Sequence, residues 1–258
     1  LRIDLEDFKI MLYLLMFLGG ICAGFMNTLA GGGSLLVLPI MILGGIPASI
    51  ANATNRVAIL VQNATAVYKF REKGVLDVKP VIHITIAAII GSIAGSLTAV
   101  KIESHFDKIL GFIFILVLIA MFTRSRLKSK QKLILPRWLE FIIFLLVGFY
   151  GGFIQAGVGF IFLATLNLIE QYDLIRANAL KVFIIMCYTV FALSVFAFSG
   201  KIIWLYGLIL ALGNSIGAFL AVKLALKKGE KLVRIVLVVA VTIACAKLFG
   251  LFDLLGIS

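Results

Sequence analysis

Residues 24–70 read GFMNTLAGGGSLLVLPIMILGGIPASIANATNRVAILVQNATAVYKF, and this stretch decides the fold. An apolar run that begins near residue 10 ends in the triple glycine Gly31-Gly32-Gly33. A short apolar piece, 34–46, follows, and then a third apolar segment, 50–68, that carries Asn52, Asn55, Arg56 and Asn63. Consecutive glycines between apolar runs break a helix at a depth where no water is available to the backbone. Such irregular backbone is tolerated in a bilayer only where it is buried in protein or lines a wet cavity.

Composition requires the bilayer. Of 258 residues, 62% are hydrophobic and 14% charged, with a mean hydropathy of +1.16. A soluble domain carries roughly 25% charged residues, so this chain cannot hide its apolar surface from water. The net charge of +12 does not point to nucleic acid, because the basic residues cluster between apolar segments, where cytoplasmic loops hold them. Cys22, Cys187 and Cys245 all lie in apolar stretches without metal-ligand spacing and read as small buried hydrophobes. Asp4, Glu6 and Asp7 precede the first apolar run; a secretory signal starts basic, so that run is expected to be a retained span.

Ten apolar segments follow one another, at about 10–29, 34–46, 50–68, 80–100, 108–123, 138–156, 158–169, 177–199, 202–222 and 233–251. Most reach the ~20 residues that a helix needs to cross the hydrocarbon core; the second and seventh do not, and each follows a glycine-rich break. The segments also repeat. Gly24-Phe25-Met26-Asn27 before Ala30-Gly31-Gly32-Gly33 is matched by Gly152-Phe153-Ile154-Gln155 before Ala156-Gly157-Val158-Gly159. Gly33 to Ala51 and Gly159 to Ala177 both span 18 positions, which pairs Ala51-Asn52-Ala53 with Ala177-Asn178-Ala179. Gly91, Gly95 and Lys101 match Gly213, Gly217 and Lys223 at identical spacing.

The expected fold is therefore all-α: a polytopic membrane protein of two inverted repeats of about five segments each, with 8–10 transmembrane helices and short broken helices after the glycine motifs. The halves are 1–123 and 138–258, joined by a basic cytoplasmic connection, 124–137. Lys and Arg counts support ten crossings. With 124–137 inside, the connections 30–33, 69–80, 124–137, 170–176 and 223–234 hold sixteen basic residues against five on the opposite side, as positive-inside sorting requires. A rival arrangement with re-entrant short segments and eight spans places the basic 223–234 connection outside.

Broken helices at matched positions of two inverted repeats point to a transporter's substrate site. Each glycine run leads into a helix N-terminus, whose N–H groups and positive dipole end attract anions. Close packing through small residues is the competing reading of these glycines, and the expected role of Gly91-x-x-x-Gly95 and Gly213-x-x-x-Gly217. No Gly-Lys-Ser/Thr follows either run, which excludes a Walker phosphate loop.

On the third segment, Asn52, Asn55 and Arg56 share a helix face through i, i+3 and i+4 spacing, and Asn63 continues it three turns on. The eighth segment offers Asn178, Lys181 and Thr189 in the same places. An Arg and a Lys within apolar segments are costly in hydrocarbon and are candidates for an anion site, unless they snorkel to an interface. The candidate substrate-binding set is Asn27, Gly31, Gly32, Gly33, Ser34, Asn52, Asn55, Arg56 and Asn63 from the first half. The second half adds Gln155, Gly157, Gly159, Asn178, Lys181 and Thr189.

No Asp or Glu lies in the middle of a segment, so a proton- or sodium-coupling carboxylate relay has no evident member. An intramembrane enzyme would need a nucleophile with a base, paired carboxylates or metal ligands. His83 and His105 are the only histidines, both near segment edges. No catalytic or metal-binding role is expected.

With these residues in view, the chain resembles the sulfite exporter TauE/SafE family, also called the toluene-sulfonate uptake permeases. The stretch 24–70 carries the resemblance and 152–199 echoes it as a degenerate second half, so that it covers residues 10 to 250. It implies an inner-membrane, multi-pass permease for sulfur-containing anions such as sulfite, sulfonates or thiosulfate, without a cofactor. Phe160 against Ser34 and Lys181 against Asn55 depart from strict symmetry between the halves. A permease for another small organic anion and a non-transporting membrane scaffold stay open as alternatives. The expected partners are a small anionic substrate and the lipid bilayer, with no nucleic acid; a homo-oligomer stays open.

Overall fold

A computed structural model describes residues 5–29, 31–123, 135–170, 172 and 174–224. The tenth predicted segment, 233–251, and most of the basic 124–137 connection lie outside them. The described residues are helical, with no strand among them, as the hydropathy pattern requires of a chain that must satisfy its own backbone in lipid. The helices are α1 (Leu5–Leu29), α2 (Ser34–Leu43), α3 (Ala48–Glu72), α4 (Ile82–Lys101), α5 (Phe106–Thr123), α6 (Arg137–Phe153), α7 (Val158–Glu170), α8 (Leu174–Phe198) and α9 (Trp204–Leu224). The 3-10 turns Lys79–Val81 and Glu103–His105 lead into α4 and α5. Among the described residues, four stretches are long and apolar enough to cross a membrane: Glu6–Leu29, Lys79–Lys101, Ile175–Phe198 and Trp204–Lys223. The chain is a polytopic membrane protein.

Two ends of the bundle are defined by cross-links. At one end, Ser49 and Lys201 both hydrogen-bond Glu103, and Tyr13 packs edge-on against Tyr206. At the other, Lys73 Nζ donates to the Val222 carbonyl, Arg176 faces Asp77 and His83 meets Glu140. The second end is flanked by Lys69, Arg71, Lys79 and Arg137, the side that positive-inside sorting assigns to the cytoplasm, and is termed the inner end.

The short helices turn back rather than extend the path. At 1.5 Å per residue, α2 and α7 rise only ~15 and ~20 Å, short of a ~30 Å hydrocarbon core. A Cβ on Gly33 would overlap the Ala23 carbonyl, Gly19 faces Ile40 and Gly44 faces Leu12, so α2 runs back along α1 towards the outer end. The stretch 30–33, counted from the sequence as a cytoplasmic connection, does not reach water at its glycines: Gly31, Gly32 and Gly33 are all buried.

Glycines set the long-helix contacts, and they do so in matching pairs. Along α1 and α9, Cβ atoms on Gly24, Gly213 and Gly217 would overlap the carbonyls of Asn214, Phe17 and Ile21. Along α4 and α6, Gly91, Gly95, Gly148 and Gly152 press on the carbonyls of Leu145, Phe149, Ala88 and Ser92. Lipid is as apolar as Leu, so dispersion between closely approaching backbones carries helix association here. The sequence reading of Gly91-x-x-x-Gly95 and Gly213-x-x-x-Gly217 as packing motifs holds. It also extends to Gly20-x-x-x-Gly24 and Gly148-x-x-x-Gly152, their partners.

Gly217→Val and Gly95→Val are each expected to lower the melting temperature in detergent by about 5–10 °C, since overpacking a tight contact costs ~1–3 kcal/mol or more. Ile216→Val, one residue away on the exposed face, is the control and is expected to leave it within about 2 °C.

Candidate functional site

The two glycine breaks meet. A Cβ on either Gly31 or Gly159 would overlap the other's Cα, so the backbone of α1–α2 touches that of α6–α7 in the middle of the molecule. Gly31 has φ +103° and Gln155 has φ +65°; the second is a left-handed conformation that a residue with a Cβ adopts at a cost. Beside this contact lies a small cavity of about 10 Å³, lined by Asn27, Gly31, Ile59, Gln62, Asn63, Gln155, Val158, Gly159 and Ile185. That is room for about one water molecule.

Breaking α1 and α6 inside the membrane strands backbone carbonyls at their C-terminal ends. The two buried cations take them. Arg56 of α3 donates through NH1 to the Gly151 carbonyl (2.5 Å) and Gln155 Oε1 (3.0 Å), and through NH2 to the Gly152 carbonyl (2.8 Å). Lys181 of α8 donates to the carbonyls of Asn27 (2.8 Å) and Thr28 (3.1 Å) and to Asn178 Oδ1 (2.7 Å). Both side chains are fully buried, so neither snorkels to an interface. Lys181 has an acceptor for each of its three protons. Arg56 makes three bonds with its five N–H groups, and its Nε is buried without a partner among the described residues. Its guanidinium carbon sits 5.3 Å from the centre of the Phe196 ring.

Amides tie the breaks to α3 and α9. Asn27 Oδ1 accepts from Gly33 N at 2.6 Å, and its Nδ2 donates to Gln62 Oε1 at 3.1 Å. The same Gln62 oxygen accepts from Asn214 Nδ2 at 3.1 Å. On the opposite side Gln155 Oε1 accepts a second bond, from the Tyr188 hydroxyl at 2.9 Å.

Of the candidate residues, the cavity thus gathers Asn27, Gly31, Asn63, Gln155 and Gly159. Arg56 reaches it through Gln155, and Lys181 through the backbone of Asn27. Others sit apart from it. Asn55 Nδ2 donates to Ser34 Oγ at 3.0 Å, pinning α3 to the start of α2. The Gly32 carbonyl accepts from Leu35 N, and Gly157, at φ +75°, lies against Val117 of α5. Thr189 is buried, with its hydroxyl unpaired among the described residues.

Asn52 belongs to a second small cavity nearer the outer end, which it shares with Ser49, Glu103, Phe106, Phe196 and Lys201; its Nδ2 donates to the Phe153 carbonyl at 2.9 Å. Lys201 Nζ lies 2.5 Å from Glu103 Oε2, and Ser49 Oγ 3.1 Å from Glu103 Oε1. This cluster roofs the cavity, and Phe196 separates it from Arg56.

Comparison with known proteins places the chain in a family. The family model for sulfite exporter TauE/SafE matches residues 16–248. The chain belongs to the sulfite exporter TauE/SafE family. It is 26% identical over 245 residues to the probable membrane transporter protein ORF9 of a Sinorhizobium species, covering 94% of each chain. It is 27% identical over 248 residues to a probable membrane transporter protein of Haemophilus influenzae, covering 94% of this chain and 96% of that one. To the probable membrane transporter protein YfcA of Escherichia coli it is 26% identical over 236 residues, covering 90% and 88%. No solved structure matches the chain. This TauE/SafE protein is a multi-pass membrane transporter.

Sequence reasoning missed Gln62, Tyr188 and Asn214. Gln62 is seven residues after Asn55, hence on the same face, and that spacing could have found it. Tyr188 and Asn214 reach the site only through the packing of α8 and α9, which no local pattern encodes.

Two outcomes follow for this TauE/SafE transporter. Lys181→Met is expected to destabilise the protein in detergent by about 1–3 kcal/mol for each acceptor left unpaired, measured by denaturant titration. At the outer roof, the hydrogen bond from Lys201, followed by that from Ser49 and the Lys201 charge, holds the Glu103 carboxyl below its usual 4.5 against the opposing effect of burial. A depressed carboxylate pKa stabilises the closed roof above the usual value and loses that contribution as pH falls through the depressed one. Glu103→Gln is therefore expected to open Asn52→Cys, in a background without native cysteines, to an impermeant maleimide at pH 7. The Glu103 parent should open only in acid.

Proposed function

We propose that the chain moves a small sulfur-containing oxyanion, of the sulfite, thiosulfate or sulfonate class, through the polar cavity where the two glycine breaks meet. The observation that carries this is the convergence of Asn27, Gln62, Asn63 and Gln155 on one buried cavity beside two fully buried cations. Electrostatics favours an anion there. Each helix C-terminus carries about −0.5 elementary charge, so Arg56 and Lys181 more than offset the ends of α1 and α6. The remaining balance is positive. No Asp or Glu is among the buried polar residues described, which disfavours a cation.

The donors fit an oxyanion as well. Amide N–H groups and a guanidinium Nε present directed donors to oxygens held on one central atom. Asn27, Asn55, Arg56, Lys181 and Gln155 act as the walls and joints of the site rather than as five direct ligands. Gln62 joins them, and the glycines let the breaks approach. In this reading residues 1–123 and 138–258 are the two inverted repeats, and the cavity is the occluded state between an outward and an inward opening. Opening outward breaks the Glu103–Lys201 pair and swings Phe196 off Arg56. The anion then meets Arg56 Nε as its first free charged donor. The relatives are named only as membrane transporters, without a substrate.

Proteoliposomes loaded by a sulfite gradient test the reading, with labelled sulfite as tracer and sulfate, thiosulfate, a short sulfonate and chloride as competitors. Saturable uptake blocked by sulfur oxyanions alone is expected. Gln62→Ala and Arg56→Lys should each lower kcat/KM by about tenfold or more, the loss of one hydrogen bond to a charged group. Uptake untouched by both substitutions, or displaced equally by chloride or a carboxylate, would overturn it.

A further inference from the structure

A wide groove lies apart from the cavity. It occupies about 810 Å³ at the inner end, between the starts of α4 and α6. The two helices touch backbone to backbone at Gly91, Gly95, Gly148 and Gly152, and the groove lies along their first turns, which His83 and Glu140 bridge. Lys79, His83 and Arg137 stand at its mouth with Trp138, while Ile82, Ile86, Phe141 and Ile142 form the floor.

The carboxylates nearby are engaged elsewhere. Glu140 is 12% exposed and turned to His83, with Oε2 3.2 Å from Nε2. Asp77 accepts from the Lys79 backbone N–H at 3.2 Å and faces Arg176 at 3.5 Å. Lys79 and Arg137 have no ion pair with a described residue. Below the mouth, exposed Ile86 and Ile90 of α4 and Ile142 and Leu146 of α6 continue the floor towards the middle of the membrane.

A site with cations and an indole at the interface and a branched apolar track beneath it matches one kind of molecule. We propose that this groove binds an anionic phospholipid from the inner leaflet. The phosphate sits between Lys79 and Arg137, the glycerol backbone lies against Trp138, and an acyl chain lies along Ile86 and Ile142. Basic pockets between transmembrane helices on the cytoplasmic side recognise such headgroups, and an interfacial tryptophan anchors at that depth. A free phosphate would use the cations and leave the track bare; a zwitterionic lipid would use the track and gain little from the cations.

The chain supplies its own reporter, since Trp138 and Trp204 are its only tryptophans and stand at opposite ends of the bundle. Trp204→Phe leaves Trp138 alone. This variant is reconstituted in phosphatidylcholine vesicles containing either brominated phosphatidylglycerol or brominated phosphatidylcholine at the same low mole fraction. Quenching of Trp138 is expected to favour the anionic lipid over phosphatidylcholine by roughly tenfold, as two basic side chains at a membrane surface provide. Lys79→Gln with Arg137→Gln should remove the preference, and the swap Lys79→Arg with Arg137→Lys should keep it. Trp138→Phe leaves Trp204, whose quenching should follow mole fraction. Quenching of Trp138 that follows mole fraction in the Trp204→Phe protein would overturn the proposal. So would a preference that survives the double Gln change, or a groove buried against a second copy of the chain and shielded from both lipids.

Discussion

The capping of two broken helix ends by two buried cations is the interaction on which the rest of this structure depends. A bilayer offers no water to a stranded carbonyl, so a helix cannot stop in mid-protein unless something donates to its last turn. Arg56 does this for α6 and Lys181 for α1. The exchange is reciprocal: a cation in hydrocarbon needs acceptors as much as the carbonyls need donors. Each cation comes from the other half of the chain from the helix it caps, so neither half satisfies its own break. This couples the two halves more firmly than apolar packing alone.

Glycine makes that capping reachable. The paired contacts of α1 with α9 and α4 with α6 bring backbones together at Gly24, Gly217, Gly95 and Gly152. Those two pairs act as rigid posts between which α3 and α8 carry the polar residues.

Much of this was legible in the sequence, and the parts that were not have a common cause. The glycine breaks, the matched spacings and the polar face of α3 are local or periodic signals, and they located Asn27, Gly31, Asn63, Gln155 and Gly159 on one cavity. The roles of Arg56 and Lys181 were half legible. Their cost in hydrocarbon marked them, but the acceptors that stabilise them lie 95 and 154 residues away in sequence, and no pattern announces a contact of that range. Read alone, they pointed to bare charges awaiting an anion; in the fold they are largely spoken for. Asn52 followed the helix face correctly but faces the outer cavity, because α3 is long enough to pass from one compartment to the other.

The difference between the two cations then decides where the halves diverge chemically. An ammonium has three protons, and Lys181 has placed all three; freeing it for a ligand would strand the end of α1 in a water-free region. A guanidinium has five N–H donors in a rigid fork, and Arg56 holds α6 and Gln155 while its Nε stays unpaired. Only an arginine can cap a helix and still offer a directed charged donor. Two chemically identical halves would have made the outer and inner approaches equivalent. On the proposed function, Arg56 therefore gives one approach to the cavity a usable charged donor while Lys181 stays a closed joint, so the two halves contribute unequally.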